Sequence, residues 1–332
     1  MLTSLAGLVF LFFSHLGSFH LIGSLKVWQL SSGNLLRSLA AHEGQIRGLC
    51  TTMDGILVAT ASQDQKIQLW DAENLNHVAT LLGHTDMVYA VTSTGDSKVL
   101  VSASGDTTVK VWDLKTYKEL RSLRGHQKDV YSVSVTRDDQ IIISGGCDMV
   151  VRLWCLVTGE LLFCFRGHSE SIRFVLATPD GSKALSSSED TTFRVWDLDV
   201  SNFKQSEFSG HTKDVTDISV DDNGTVCATS SKDCTVKIWC CETGKEMNTL
   251  EGHKGRVVSL DMSRDGRYIA SLGKDSFVKV WDLKCGGQMV TSMEIPGSRL
   301  VRFIQTHELV LIGCKDNRLF IWDWSKAEIT YK

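Results

Sequence analysis

The chain has 332 residues, 42% of them hydrophobic, with 2 prolines and a formal net charge of -4 at a pI near 6.2. That mild acidity gives no global attraction for nucleic acid or an anionic membrane, so any basic site has to be local. The ten cysteines stand singly except for Cys240-Cys241 and form no C-x-x-C spacing, which excludes a paired-ligand zinc site and favours free thiols in a reducing compartment.

In chain order, residues 1–24 are an apolar lead whose first charge comes only at Lys26. The run from Leu5 to Phe13 has the length of a signal h-region but lacks a preceding basic residue, and it is too short to span a bilayer. Three readings stay open for this lead: a signal, a disordered segment, or a truncated repeat unit, the last because Ser24 to Trp28 reads like the end of a third strand. The lead is expected to form no blade, and residues 25–332 are taken as one repeat domain. Asn34 to Ala40 then reads as an outer strand without a blade of its own. It is predicted to pair with Arg318 to Trp322, with Glu328 to Lys332 as the competitor for that place.

From His42 onward a unit of 42 residues recurs. Its closing tryptophans are Trp70, Trp112, Trp154, Trp196, Trp239, Trp281 and Trp322, with single-residue deviations confined to the last three intervals. A histidine stands 28 residues before six of them, at His42, His84, His126, His168, His211 and His253. An aspartate stands six residues before all seven, at Asp64, Asp106, Asp148, Asp190, Asp233, Asp275 and Asp316. Inside the unit that runs from Gly83 to Asp113, strands are predicted at Val88 to Val91, Val99 to Ser104 and Thr108 to Trp112, followed by an outer strand at Glu119 to Leu123. Alternation puts Val109 and Val111 on one face of the third strand and Thr108 and Lys110 on the other. Asp54-Gly55, Asp180-Gly181, Asn223-Gly224 and Asp265-Gly266 mark hairpin turns between the first two strands. The last of these turns but one also carries an Asn223-Gly224-Thr225 sequon, which matters only in a secreted chain.

Departures from the unit are local. Ala41 replaces the glycine before His42, and Cys155 and Cys240 replace the aspartate after Trp154 and Trp239. The seventh unit has Glu294, Ile295 and Pro296 around the vacant Gly-His position and a short first turn at Thr306-His307. It is expected to be the least stable part of the array.

The period, the Gly-His opening and the Trp-Asp close resemble the WD-repeat family. The resemblance covers roughly residues 25 to 332. It implies an all-β fold, a seven-bladed β-propeller of four-stranded antiparallel blades whose ring a terminal strand closes. It also implies a non-catalytic scaffold without cofactor that holds protein or peptide partners and serves as a subunit of a multiprotein complex. A second reading makes the chain a regulatory sensor array, the WD-repeat portion of a larger NACHT-type signalling protein with a nucleotide-binding module elsewhere. No G-x-x-x-x-G-K phosphate loop occurs in the chain. The expected location is cytoplasmic or nuclear, not secreted.

Each regular unit holds a His, a Ser and an Asp, for example His84, Ser102 or Ser104, and Asp106, a set that superficially suggests a hydrolase. Six copies and no nucleophile-elbow sequence argue instead for a structural network, because buried polar groups must find partners. In the family a chain from Trp through Ser or Thr to His and Asp links strands and loops of one end. Burying a tryptophan over about 150 to 250 Å² at roughly 25 cal/mol per Å² contributes on the order of 4 to 6 kcal/mol as an upper bound.

Recognition is expected at the His and Asp ends of the units, where loop residues vary. Just after the first apolar residue of strand one stand Arg47, Tyr89, Tyr131, Arg173, Thr216, Val258 and Val301. Lys213 lies two residues before that strand in its unit, and Lys232, Lys274 and Lys315 directly precede the repeated aspartate. The tyrosines and arginines are hot-spot residue types, and the Lys and Arg set forms a basic arc suited to an acidic or phosphorylated peptide. Nucleic acid and membrane are not expected as partners.

Overall fold

The computed structural model describes residues 2–5, 8–14, 23–29, 35–199, 205–304, 309–314, 319–326 and 328–331. Each repeat unit becomes one four-stranded antiparallel sheet in which every strand pairs with its neighbour in sequence. The second repeat shows the pattern, with strands Val88–Ser93, Val99–Ser104, Thr108–Asp113 and Lys118–Arg124. The hairpin glycines Gly55, Gly181, Gly224 and Gly266 lie at φ 76°, 71°, 70° and 67°, a region that favours glycine. The single helical element among the described residues is a 3-10 turn at Leu283–Cys285.

Two expectations about the chain's ends are corrected by strand pairing. The segment Leu35–His42 does not join the last repeat. It pairs with Gly23–Gln29, where Leu39 opposes Leu25, and that strand pairs in turn with Leu8–Ser14 and then Leu2–Leu5. The seventh repeat instead takes its outer strand from Glu328–Tyr331, with Ile329 opposite Trp322. The described residues therefore hold eight four-stranded sheets, seven from the repeat units and an N-terminal one where no blade was expected. The reason is that a strand needs only a paired edge and a fitting length of apolar sequence, both of which LVFLFFS supplies without any Gly-His or Trp-Asp mark. The boundary drawn at residue 24 falls inside the strand Gly23–Gln29.

Contacts divide the chain into two compact units, Met1–Gly167 with Phe174–Ala177, and His168–Arg173 with Thr178–Lys332. In both, the core lies between successive sheets. In the first unit Trp112 and Leu100 pack with Ala61, Leu69 and Leu81 of the preceding sheet, while Val109, Val111 and Leu123 pack with Val130 and Trp154 of the following one. The third strand is thus covered on both faces: Lys110 is buried along with its apolar neighbours, its ammonium 2.7 Å from Glu119. In the second unit the same packing joins Ile238 and Leu250 to Leu260 and Trp281, and Val278 and Val280 to Val310 and Trp322.

The first strand of each sheet has one hydrogen-bonded neighbour, which leaves a free edge of N–H groups. Side chains of the preceding sheet cap that edge. Ser132 Oγ accepts from the Val175 amide at 3.1 Å and Ser134 Oγ from the Ala177 amide at 3.1 Å. In the second unit Asp217 accepts from the Leu260 amide at 3.1 Å and Asp261 from the Phe303 amide at 2.8 Å. Burial pushes the Asp261 carboxyl up, against the pull of the Arg302 guanidinium.

Replacing Ser132 by Ala leaves the buried Val175 amide without an acceptor. A loss of about 1 to 3 kcal/mol is expected in urea denaturation, and a change below about 0.5 kcal/mol, the level of an ordinary surface substitution, would show that the cap is dispensable.

Candidate recognition surface at the His and Asp ends of the sheets

Six repeats carry the same buried network. In the second, Trp112 Nε1 donates to Ser102 Oγ at 2.8 Å, that hydroxyl lies 2.7 Å from His84 Nε2, and His84 Nδ1 lies 2.7 Å from Asp106. The carboxylate beside Nδ1 places the ring proton there, so Nε2 accepts from the serine. Ser144, Ser186 and Ser271 stand between Trp154 and His126, Trp196 and His168, and Trp281 and His253, with every hydroxyl contact at 2.8 Å. Thr60 does the same for Trp70 and His42, at 3.0 and 2.8 Å, and Thr229 for Trp239 and His211, at 2.8 Å each. Of the two serines open on sequence grounds, Ser102 is the network member, whereas Ser104 bonds the Asp86 and Met87 carbonyls and the Asp106 amide. All six hydroxyls are fully buried, so none is presented to a substrate.

The repeated aspartate has a second task that sequence reading missed. While one oxygen of Asp106 takes His84 and the Thr85 amide, the other accepts from the Thr108 amide at 2.9 Å. This turn holds the intervening residue left-handed: Gln65, Thr107, Met149, Thr191, Cys234 and Ser276 all lie between φ 64° and 75°. Burial pushes the Asp106, Asp148, Asp190 and Asp233 carboxyls up, but the hydrogen bonds from their histidines and neighbouring donors outweigh it and hold them well below the usual range. Burial lowers His126 and His253 despite their carboxylate partners. Where a glycine precedes the histidine, the tryptophan crowds the position: a Cβ on Gly125 or Gly210 would stand 3.1 or 3.2 Å from Cη2 of Trp154 or Trp239, although the first repeat carries Ala41 there.

The seventh repeat breaks the network at two places. Ile312 occupies the Ser/Thr position and Glu294 stands where the histidine would, so the fully buried Trp322 Nε1 has no acceptor among the described residues. Asp316, Lys315 and the Thr306-His307 turn lie outside the described residues.

Candidate surface residues leave the sheets at β-bulges. In the first strand a single residue is skipped by the pairing, at Arg47, Tyr89, Tyr131, Thr216, Val258 and Arg299. A bulge re-aims its side chain, which is why these positions escape the alternation of the strand. The last repeat corrects the sequence alignment: its bulge residue is the exposed Arg299, whereas Val301 is fully buried.

In the first unit, Arg47 is exposed and the half-buried Tyr89 and Tyr131 rings meet edge to face at 4.9 Å. Tyr89 donates to Asp129 at 3.0 Å, and the Cys147 thiol lies 2.8 Å from the Tyr131 hydroxyl. Burial, then Asp129, pushes the Tyr89 phenol up to about 12, so it remains a neutral donor at physiological pH. In the second unit Arg173 pairs with Glu189 and Lys232 with Asp214, while Lys213 and Lys274 are exposed. Asp129 and Asp214 share a place directly before the first strand of their repeats, a row the sequence reading did not single out. Arg173 and Lys232 are therefore already ion-paired, as surface pairs that contribute at most about 1 kcal/mol each.

Four-stranded sheets tied by a repeated Trp, hydroxyl, His and Asp network, with variable side chains at the bulges, define a β-propeller-type repeat protein. Residues 33–71, 75–113, 117–155, 159–197, 202–240 and 244–282 match the family described as "WD domain, G-beta repeat", and the chain belongs to that WD40 family. It is similar to a bromodomain and WD repeat-containing protein of Dictyostelium discoideum, 44% identical over 45 residues, which is 14% of this chain and 2% of that protein. It is also similar to DDB1- and CUL4-associated factor 13 of Homo sapiens and of Pongo abelii, 35% identical over 46 residues, 14% of this chain and 10% of each. The similarity thus spans a tenth or less of these relatives' length.

Ser102→Ala strands the Trp112 Nε1–H and the His84 Nε2 together. A loss of about 2 to 4 kcal/mol is expected in chemical denaturation, since each orphaned buried group costs roughly 1 to 3 kcal/mol; Ser102→Thr, which keeps a hydroxyl as Thr60 and Thr229 do at the equivalent place, is the control. Stability should also fall on acidification in two stages. The lowered His126 and His253 resist protonation in the fold, so the unfolded chain takes up protons first below about pH 6.5; the depressed aspartates repeat this below about pH 4. A melting temperature that rises between pH 7 and 5 would contradict this linkage.

Proposed function

We propose that the chain is a non-catalytic WD40 propeller scaffold that binds protein or peptide partners at the His and Asp ends of its sheets. The observation that carries this is the contrast within each repeat. A constant buried network fixes the strand ends, while the bulge side chain beside it changes from Arg47 to Tyr89, Tyr131, Thr216 and Val258. Loop residues on a rigid frame are the usual carriers of recognition. In the first unit the contact group is Arg47 with the Tyr89 and Tyr131 pair; in the second it is Arg173, Lys213, Lys232 and Lys274. We assign an acidic or phosphorylated peptide to the second group, where incoming carboxylates or phosphates would compete with Glu189 and Asp214 for the cations, and we place Lys315 with it. The protein acts inside the cell as a subunit of a multiprotein complex.

A second reading, a regulatory array within a longer signalling protein, is favoured by one observation: the Dictyostelium relative is far longer than the stretch it shares with this chain.

Affinity purification of the full chain with mass spectrometry tests the proposal. Tyr89→Ala with Tyr131→Ala, or Arg173→Ala with Lys232→Ala, should remove partners while the melting temperature stays within a few degrees. Phosphatase treatment of the lysate should mimic the second pair if the partner is phosphorylated. Retention of every partner by both double variants would move the site elsewhere.

A further inference from the structure

Two residues before the repeat tryptophan, within the covered third strand, five repeats carry a cation: Lys110, Arg152, Arg194, Lys237 and Lys279. Lys110, Arg152, Arg194 and Lys279 keep only 5 to 7% exposure. A buried charge is tolerated when a counter-charge is bonded to it. Four of the five cations have one. Lys110 meets Glu119 at 2.7 Å and Lys237 meets Glu246 at 2.8 Å, each glutamate being the outer-strand residue paired with the repeat tryptophan. Arg194 pairs with Glu207 of its outer strand. Arg152, whose repeat has Leu161 in place of the glutamate, turns to Asp148 at 2.6 Å.

Lys279 is the exception. The residue paired with Trp281 is Met289, and the ammonium lies 3.4 Å from the Met289 sulfur and 5.4 Å from the centre of the Phe277 ring. Neither neighbour carries a charge. Asp275 stands four residues before Lys279, as Asp148 stands before Arg152, but it is taken up by His253 Nδ1 at 3.1 Å and by the Lys254 and Phe277 amides at 2.7 and 3.2 Å. Glu251 and Glu294 are exposed, and no carboxylate forms an ion pair with Lys279 among the described residues. A thioether thus fills the place where the second and fifth repeats put a carboxylate.

That place is reachable from solvent. The side chains of Glu119 and Glu246 keep 32% and 35% exposure on their lysines, so a carboxylate seated there has one side open. Met289, which covers it in the sixth repeat, is 47% exposed, and its unbranched chain turns about three bonds and yields to a neighbour.

We propose that the sixth repeat binds an acidic side chain of a partner protein at Lys279. The incoming carboxylate displaces the Met289 thioether and bonds Lys279 as Glu119 bonds Lys110. The partner supplies from outside the group that two other repeats carry in their own outer strands. The site goes beyond the recognition surface proposed above, since it uses neither the bulge residues nor the loop cations.

Panning a random heptapeptide library against the full chain tests it. Enriched sequences should carry Glu or Asp. Their affinity should fall about tenfold or more for Lys279→Met and for Met289→Glu, which installs the carboxylate of the second and fifth repeats. It should be unchanged for Arg173→Ala with Lys232→Ala, the pair that tests the recognition surface. Because no counter-charge is stranded, Lys279→Met should melt at the same or a higher temperature, and Met289→Glu at a higher one. A clear fall in either shows that the ammonium is satisfied within the fold and overturns the site. So does enrichment of nothing, of sequences without an acidic residue, or of acidic sequences indifferent to both substitutions. A melting temperature raised by millimolar acetate in the unsubstituted chain but not in Lys279→Met, with no peptide enriched, assigns the place to a free anion and overturns the protein partner.

Discussion

A buried hydroxyl bonded to two rings is the interaction on which each regular repeat depends. Ser102 Oγ accepts from Trp112 and contacts His84, and through His84 it reaches Asp106. Four side chains from the second strand, the third strand and two loops are fixed by one atom that is fully buried from solvent. The interaction is strong because it is buried, and for the same reason it tolerates no half-measures. The tryptophan that it orients fills the space against the preceding sheet, so polar satisfaction and apolar burial are set by the same residues.

The seventh repeat shows what happens when the hydroxyl is absent. Ile312 removes the acceptor and the histidine goes with it, yet Trp322 stays fully buried, with no partner for its N–H among the described residues. Packing against Val278 and Val280 holds it there. Burial of the indole therefore outweighs one missing hydrogen bond, in keeping with a transfer contribution of on the order of 4 to 6 kcal/mol against a penalty of about 1 to 3 kcal/mol.

Around this frame the free side chains are few and placed by backbone irregularities. Bulges lift Arg47, Tyr89 and Tyr131 out of the strand alternation at one end, and a left-handed turn presents Tyr117 at the other. Regular strands bury alternate residues on two packed faces and leave little to vary. Variation is accordingly concentrated at the bulges and loops beside the strand ends, where the proposed recognition surface lies.

Most of the frame was legible in the sequence because it is periodic. Constant intervals from His to Asp to Trp, with Asp-Gly turns between, specify strands, their order and the buried network without any long-range information. The N-terminal sheet was not legible, because Leu2–Leu5 and Leu8–Ser14 carry no marker and their role follows from hydrogen-bond pairing with Gly23–Gln29. Nor were the caps on the inner edges or the true bulge residue Arg299, since a one-residue slip in register leaves the composition unchanged while exchanging a buried side chain for an exposed one. The ion pairs of Arg173 and Lys232 belong to the same class. Sequence by itself determined the repeat and its core, because local spacing suffices to set a hydrophobic and hydrogen-bonding pattern; only the tertiary structure decided which strand joins which edge and which charges are already paired, because those depend on residues that meet in space without any fixed distance along the chain.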